Sequence, residues 1–209
     1  MTSEVTIPRR EKLLSTLKEK EALIIFAAEE AKLEKFKQDN NFLYLTGLDI
    51  PEAIYFAFRG QNGAIEMLFI QRGDPEKEIW TGAKMTAEEA SQKCGLSLQK
   101  IHYLDEFLSI LSFYCPVIDK IWANIGEQYL DKPPTMQLFR LSPIRERYPN
   151  IIIESIETII TPLRKIKSDW EIKQLQRAID ITGKAIIDVL EKAEALMMEY
   201  ELEAIMFYR

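Results

Sequence analysis

Ala22-Leu-Ile-Ile-Phe-Ala-Ala28 is the longest uninterrupted apolar run in the chain, seven residues. It is far too short to span a membrane. Its length and its β-branched and aromatic content predict a buried strand. More runs of this kind follow at Phe42-Leu-Tyr-Leu-Thr46, Ala53-Ile-Tyr-Phe-Ala-Phe58 and Ala64-Ile-Glu-Met-Leu-Phe-Ile70. Gly47 is expected to close the second of them. Asn62-Gly63, lying between the last two, predicts a tight hairpin because that dipeptide tolerates positive φ.

Helical signals alternate with these strands. Residues 7–19 predict a helix, with Pro8 in its first turn and Leu13, Leu14 and Leu17 at helical spacing. Thr86-Ala-Glu-Glu89 fits a capping box that opens a helix, and Gly95 stands where it should stop. Lys100–Tyr103 and Val117–Trp122 predict strands on either side of a helix over Asp105–Tyr114, which carries Phe107, Leu108 and Leu111 on one face. A helix near 135–146 and the strand Ile151–Ile153 complete the pattern. Strands alternating with helices, plus one hairpin, predict an α/β domain with a mixed β-sheet flanked by helices over residues 1–160.

A linker is expected at 161–167, and Ser168-Asp-Trp-Glu171 forms a second capping box. Beyond it, Leu175, Ile179, Ile186 and Leu190 lie on one apolar stripe of a long helix, and a short helix over Glu199–Tyr208 follows. Residues 168–209 read as the opening of a second domain, or as helices folded back on the first.

Composition narrows the chemistry. The formal charge of −6 and the pI near 5.1 argue against nucleic acid and anionic membranes as partners. No secretory signal is visible in the first twenty residues. Two cysteines, Cys94 and Cys115, do not make a disulfide framework, which fits a cytoplasmic location. His102 is the single histidine, so a metal site would have to be nearly all carboxylate. Glu199, Glu201 and Glu203 read as a solvated helix end, and His102 as a structural side chain in a short strand. Cys115, before Pro116, reads as buried and inert. Gly60, Gly63 and Gly73 do not open a helix after a strand, so they do not form a phosphate loop. From the residues alone, this is an α/β domain without a catalytic constellation.

Three stretches carry a resemblance. Asn41-Phe-Leu-Tyr-Leu-Thr-Gly-Leu-Asp-Ile-Pro-Glu-Ala53 is the first. Met67-Leu-Phe69 through Asp74 to Glu78-Ile-Trp-Thr-Gly82 is the second. Pro162-Leu-Arg-Lys-Ile-Lys-Ser168, followed by Glu171-Ile172 and Ala178, is the third. In this order and spacing they resemble the N-terminal half of Xaa-Pro aminopeptidases (aminopeptidase P) and their prolidase and creatinase relatives.

The resemblance implies a creatinase/prolidase-like N-terminal domain over 1–160. It also implies that 168–209 are the first helices of a truncated pita-bread catalytic domain. Such a parent would be a metal-dependent, homo-oligomeric peptidase that hydrolyses the bond between an N-terminal residue and proline. Its two divalent metal ions, manganese by preference, would be held beyond Arg209, with no metal or catalytic residue in this chain. The expected partners are its own catalytic domain and proline-containing peptides. Trp80 matches the family tryptophan that in bacterial members reaches the substrate pocket of a neighbouring subunit. Its indole would contact substrate there, or else pack on its own domain. Ala83 and Lys84 after the Trp-Thr-Gly segment, and Gln71-Arg72-Gly73 before it, depart from the family pattern. Two other readings share these motifs: a stand-alone binding module without catalysis, and a prolidase or creatinase. An apolar stripe left uncovered on 170–197 favours the enzyme part over the complete module.

Overall fold

The computed structural model describes residues 3–30, 35–74, 76, 78–79 and 82–208. These fall into two compact units that divide between Leu163 and Arg164.

The first unit is built on a six-stranded sheet. Its strands are β1 (Glu21–Phe26), β2 (Ile54–Gly60), β3 (Gly63–Ile70), β4 (Ile101–Tyr103), β5 (Lys120–Ala123) and β6 (Ile152–Ser155). Their spatial order is β4-β3-β2-β1-β5-β6. The β1–β2–β3 meander is antiparallel, and β4, β5 and β6 add in parallel. This is the mixed sheet expected from the alternating pattern. The hairpin turns between Gly60 and Gly63, and Gly63 alone carries the positive φ, +127°.

Helices cover both faces: α1 (Ser3–Thr16), α2 (Asn40–Thr46), α3 (Ala87–Cys94), α4 (Phe107–Tyr114), α5 (Met136–Arg140), α6 (Ser142–Arg147) and α7 (Glu157–Lys165). Every residue of β1 is buried, because its neighbours on both sides are strands and both its faces are packed. Leu23 and Ile25 face Leu13, Phe42 and Ile160; Ile24 and Phe26 face Leu111, Leu141 and Ile144. Each such side chain contributes about 1.5–3 kcal/mol relative to an exposed one.

Several elements differ from expectation. Phe42–Thr46 is helical rather than a strand. Asp39 accepts the amides of Asn41 (3.0 Å) and Phe42 (2.8 Å), and Gly47 ends the helix at φ +71°. The α1 helix begins at Ser3, so Pro8 lies inside it. The earlier start is held by Thr6, whose hydroxyl reaches the Cys94 carbonyl at 3.4 Å. Phe107 and Leu111 are buried as expected, but Leu108 is 61% exposed. The segment expected as a linker is helical to Lys165, despite Pro162, because Ile160 is buried in the core and Leu163 packs against it.

The second unit contains α8 (Asp169–Lys192) and α9 (Glu199–Phe207). Its start is fixed by the expected capping box: the Glu171 amide donates to Ser168 Oγ at 3.3 Å, and the Ser168 amide to Glu171 Oε2 at 2.8 Å. Leu175, Ile179 and Leu190 of the apolar stripe are exposed. No helix among the described residues is long and apolar enough to cross a membrane.

Candidate functional site

At one end of the sheet, the segments that follow β1, β3 and β4 enclose a cleft of about 460 Å³. Its lining includes Glu30, Gln71, Arg72, Glu78, Lys84 and Asp105. A smaller cavity of about 250 Å³, lined in part by Asp49, Pro51 and Met85, shares Glu30, Gln71 and Lys84 with it.

The turn between β1 and β2 sets one wall. Glu52 takes a left-handed conformation, φ +53°, its amide donates to the Ala28 carbonyl at 2.9 Å, and its carboxylate accepts from the Gln71 side chain. The second wall is the β3–α3 loop, where Glu78 is a clamp. Its amide donates to the Asp74 carbonyl (2.9 Å), its carbonyl accepts the Gly82 amide (3.0 Å), and its carboxylate accepts the Lys84 amide (3.1 Å). Gly73 makes the approach possible, since a Cβ there would meet Glu78 Oε1 at 2.8 Å. Trp80, the expected substrate contact, lies between Glu78 and Gly82 but outside the described residues. Ile79 beside it is 78% exposed.

The cleft's cations are engaged. Arg72 stacks on Tyr103 at 3.8 Å and reaches Asp105 at 3.5 Å, and Lys84 stands 3.8 Å from Glu30. What remains is a loop-bounded, mainly acidic concavity that can position a side chain but offers no hydroxyl or thiol nucleophile among its described lining residues. Among the described residues, no three His, Cys, Asp or Glu side chains converge in a way that would hold a metal ion, so these residues do not fit a metal centre. His102 lies on Phe69, 5.4 Å between centroids, and its Nδ1 is 3.6 Å from Glu106. Cys94 and Cys115 are free and buried, and burial raises both thiol pKa values, which disfavours the thiolate. Glu201 accepts the Met198 amide at 2.8 Å at the start of α9, a capping role.

Sequence reasoning missed a buried polar cluster in the same unit. Arg10 donates to Glu66 Oε1 (2.8 Å) and to the Leu45 carbonyl (2.9 Å), and the Tyr55 hydroxyl donates to the same Glu66 oxygen (2.9 Å). Arg9 donates to the Tyr44 carbonyl at 3.1 Å and lies over the Tyr44 ring, 4.1 Å from its centroid. The signal available was Glu66, a lone carboxylate inside an apolar strand. The first of the recognised motifs thus has structural work: Phe42 and Leu45 are core, Tyr44 carries Arg9, and Thr46 Oγ1 donates to the Phe42 carbonyl at 2.8 Å.

A family model described as the aminopeptidase P N-terminal domain matches residues 6–118, more than half of the chain. The chain belongs to the aminopeptidase P N-terminal domain family. Xaa-Pro aminopeptidase 3 of Mus musculus is 32% identical to it over 178 residues, covering 81% of this chain and 34% of its own length. Xaa-Pro aminopeptidase of Haemophilus influenzae is 26% identical over 202 residues, covering 94% and 44%. Among solved structures, one assigned as an aminopeptidase P from Bacillus anthracis superimposes on the whole chain with a TM-score of 0.91 at 33% identity. This chain spans 51% of that structure, and about a third to under half of the curated relatives it matches. The sheet and its helical cover are therefore the fold of the aminopeptidase P N-terminal domain family.

Proposed function

We propose that this chain is the non-catalytic N-terminal part of a metal-dependent Xaa-Pro aminopeptidase, shaping the substrate pocket and taking part in homo-oligomerisation. The parent would hydrolyse the bond between an N-terminal residue and proline. Two divalent ions, manganese by preference, would supply activated water in the parent, and the described residues here do not hold them. The role left to this chain is positional.

The observation that carries the reading is the loop held by Glu78, which ties both flanks of Trp80 to one carboxylate-bearing residue. A loop fixed at its base and exposed at Ile79 suits a side chain presented outward. There the indole would offer an apolar face to a proline ring, and one N–H donor. Residues 1–160 would be the N-terminal domain, and 168–209 would open the catalytic domain, this chain's first partner; proline-containing peptides would be the second. The acidic balance speaks against nucleic acid and anionic membrane surfaces as partners, and free thiols fit a cytoplasmic location.

The test is Trp80→Ala in the full-length enzyme. Loss of an aromatic anchor should lower kcat/KM on an Xaa-Pro peptide by the equivalent of about 1–3 kcal/mol, without a matching fall in Tm. A large stability loss with unchanged kinetics would show Trp80 to be a core residue instead.

A further inference from the structure

The two edges of the sheet are unlike. The β4 edge is three residues long and follows directly on Lys100. The β6 edge contains no lysine and no proline, and its one charge, Glu154, is tied 3.2 Å away to Lys120 on β5. An edge without blocking charges, prolines or bulges is a template for another strand.

The backbone of β6 has donors and acceptors to offer. The amides of Ile152 and Ile156 donate to β5-side carbonyls, Asp119 at 3.0 Å and Ala123 at 2.9 Å. By the two-residue period of a strand, Ile153 and Ser155 turn their N–H and C=O groups away from β5. Beside β6 lies a groove of about 740 Å³, lined by Ile125 and Leu138, by Ile151 and Ile153, and by Arg145 and Glu146 of α6. Arg145 and Glu146 are exposed, and neither has an ion pair among the described residues.

We propose that this edge is a homotypic interface, at which β6 of a second copy of this chain adds antiparallel to β6. This names a surface for the self-association proposed above, and it is independent of the role of Trp80. The register favours a copy of the same strand. The outward-facing residues 151, 153 and 155 are centred on Ile153, so a two-fold axis there matches each donor with an acceptor. Ile153 exchanges both bonds with its counterpart, and the Ser155 amide meets the Ile151 carbonyl. The Ile151 amide is not needed, being bonded to the Tyr148 carbonyl at 3.0 Å. An axis perpendicular to the sheet keeps both α5–α6 pairs on the same face. The two grooves, each part apolar and part polar, then close on each other, and antiparallel α6 helices bring Arg145 of one copy towards Glu146 of the other. The groove's charges sum to zero, which suits its own copy and offers no selective attraction to an acidic or a basic peptide.

Sedimentation of the full chain should show a concentration-dependent dimer. Ile153→Pro removes an outward N–H without touching the bonds to β5, and should leave a folded monomer by circular dichroism. Arg145→Glu and Glu146→Arg each bring like charges together at the axis. Each alone should weaken the dimer about tenfold at low salt, and the double exchange should restore it to within about twofold. If Ile153→Pro does not fold, the charge cycle decides. A chain that is monomeric throughout, a dimer indifferent to the charge changes, or a double exchange as weak as the singles overturns the proposal.

Discussion

Arg10 and Glu66, 56 residues apart in the chain, meet at 2.8 Å with only 3% and 17% of their side chains exposed. Removing one partner leaves a buried charge uncompensated. Glu66→Leu should therefore cost about 3–5 kcal/mol in denaturant unfolding. The triple change Arg10→Met, Glu66→Leu, Tyr55→Phe removes every polar member together and should cost less than Glu66→Leu alone. A triple variant whose loss equals the sum of the single losses would show no coupling among the three.

The same cluster sets an alkaline limit. Burial, and then the neighbouring Glu66 carboxylate, hold the Tyr55 hydroxyl well above its ordinary pKa of 10.0. Above about pH 10 the unfolded chain releases this proton while the folded chain retains it, so stability falls as pH rises, by about 1.4 kcal/mol per pH unit for one proton. Cys94, also raised by burial, adds to the slope from about pH 9 upwards. Unfolding measured from pH 8 to 11 should show this decline. Tyr55→Phe should be less stable at pH 8 and lose part of the slope.

The ends of α2 offer a local test. Asp39→Ala removes the acceptor of two amides and should cost about 1 kcal/mol. Gly47→Ala places a Cβ at φ +71° and should cost about 1–2 kcal/mol. Both should lower the denaturant midpoint with an unchanged m-value, since neither alters how much surface folding buries.

Glu78→Ala should separate loop order from global stability. It deletes the acceptor of the Lys84 amide, so hydrogen exchange at Lys84 should accelerate while the midpoint of global unfolding shifts by no more than about 0.5 kcal/mol. Unchanged exchange at Lys84 would mean that other contacts hold the loop.

Much of the fold could be read in advance because its signals are local. The boxes at Thr86 and Ser168, the stop at Gly95 and the Asn62-Gly63 hairpin each depend on neighbours a few residues away. Phe42–Thr46 reads as a strand and folds as a helix because a short apolar run has too few residues to separate a period of 2 from one of 3.6. Asp39 and Gly47, one on each side, were the informative residues. The cleft was harder to foresee. Glu30, Gln71 with Lys84, and Asp105 come from three separate segments, and nothing in their local context announces that they meet. For Trp80 the family resemblance carries the binding role; the charged stretch Asp74–Glu78 before it and Gly82 after it suit a side chain presented at a loop tip but name no ligand.

The place of β1 at the centre of the sheet has a consequence for how the chain acquires its shape during synthesis. Its antiparallel partner, β2, lies about thirty residues downstream, and its parallel partner, β5, about a hundred. The meander can close once Ile70 has left the ribosome, whereas Ile24 and Phe26 must wait for Leu111, Leu141 and Ile144 to cover them. During that interval one side of a nascent three-stranded sheet is bare. That is the stage at which this chain is most open to chaperone capture or to mispairing with a neighbour.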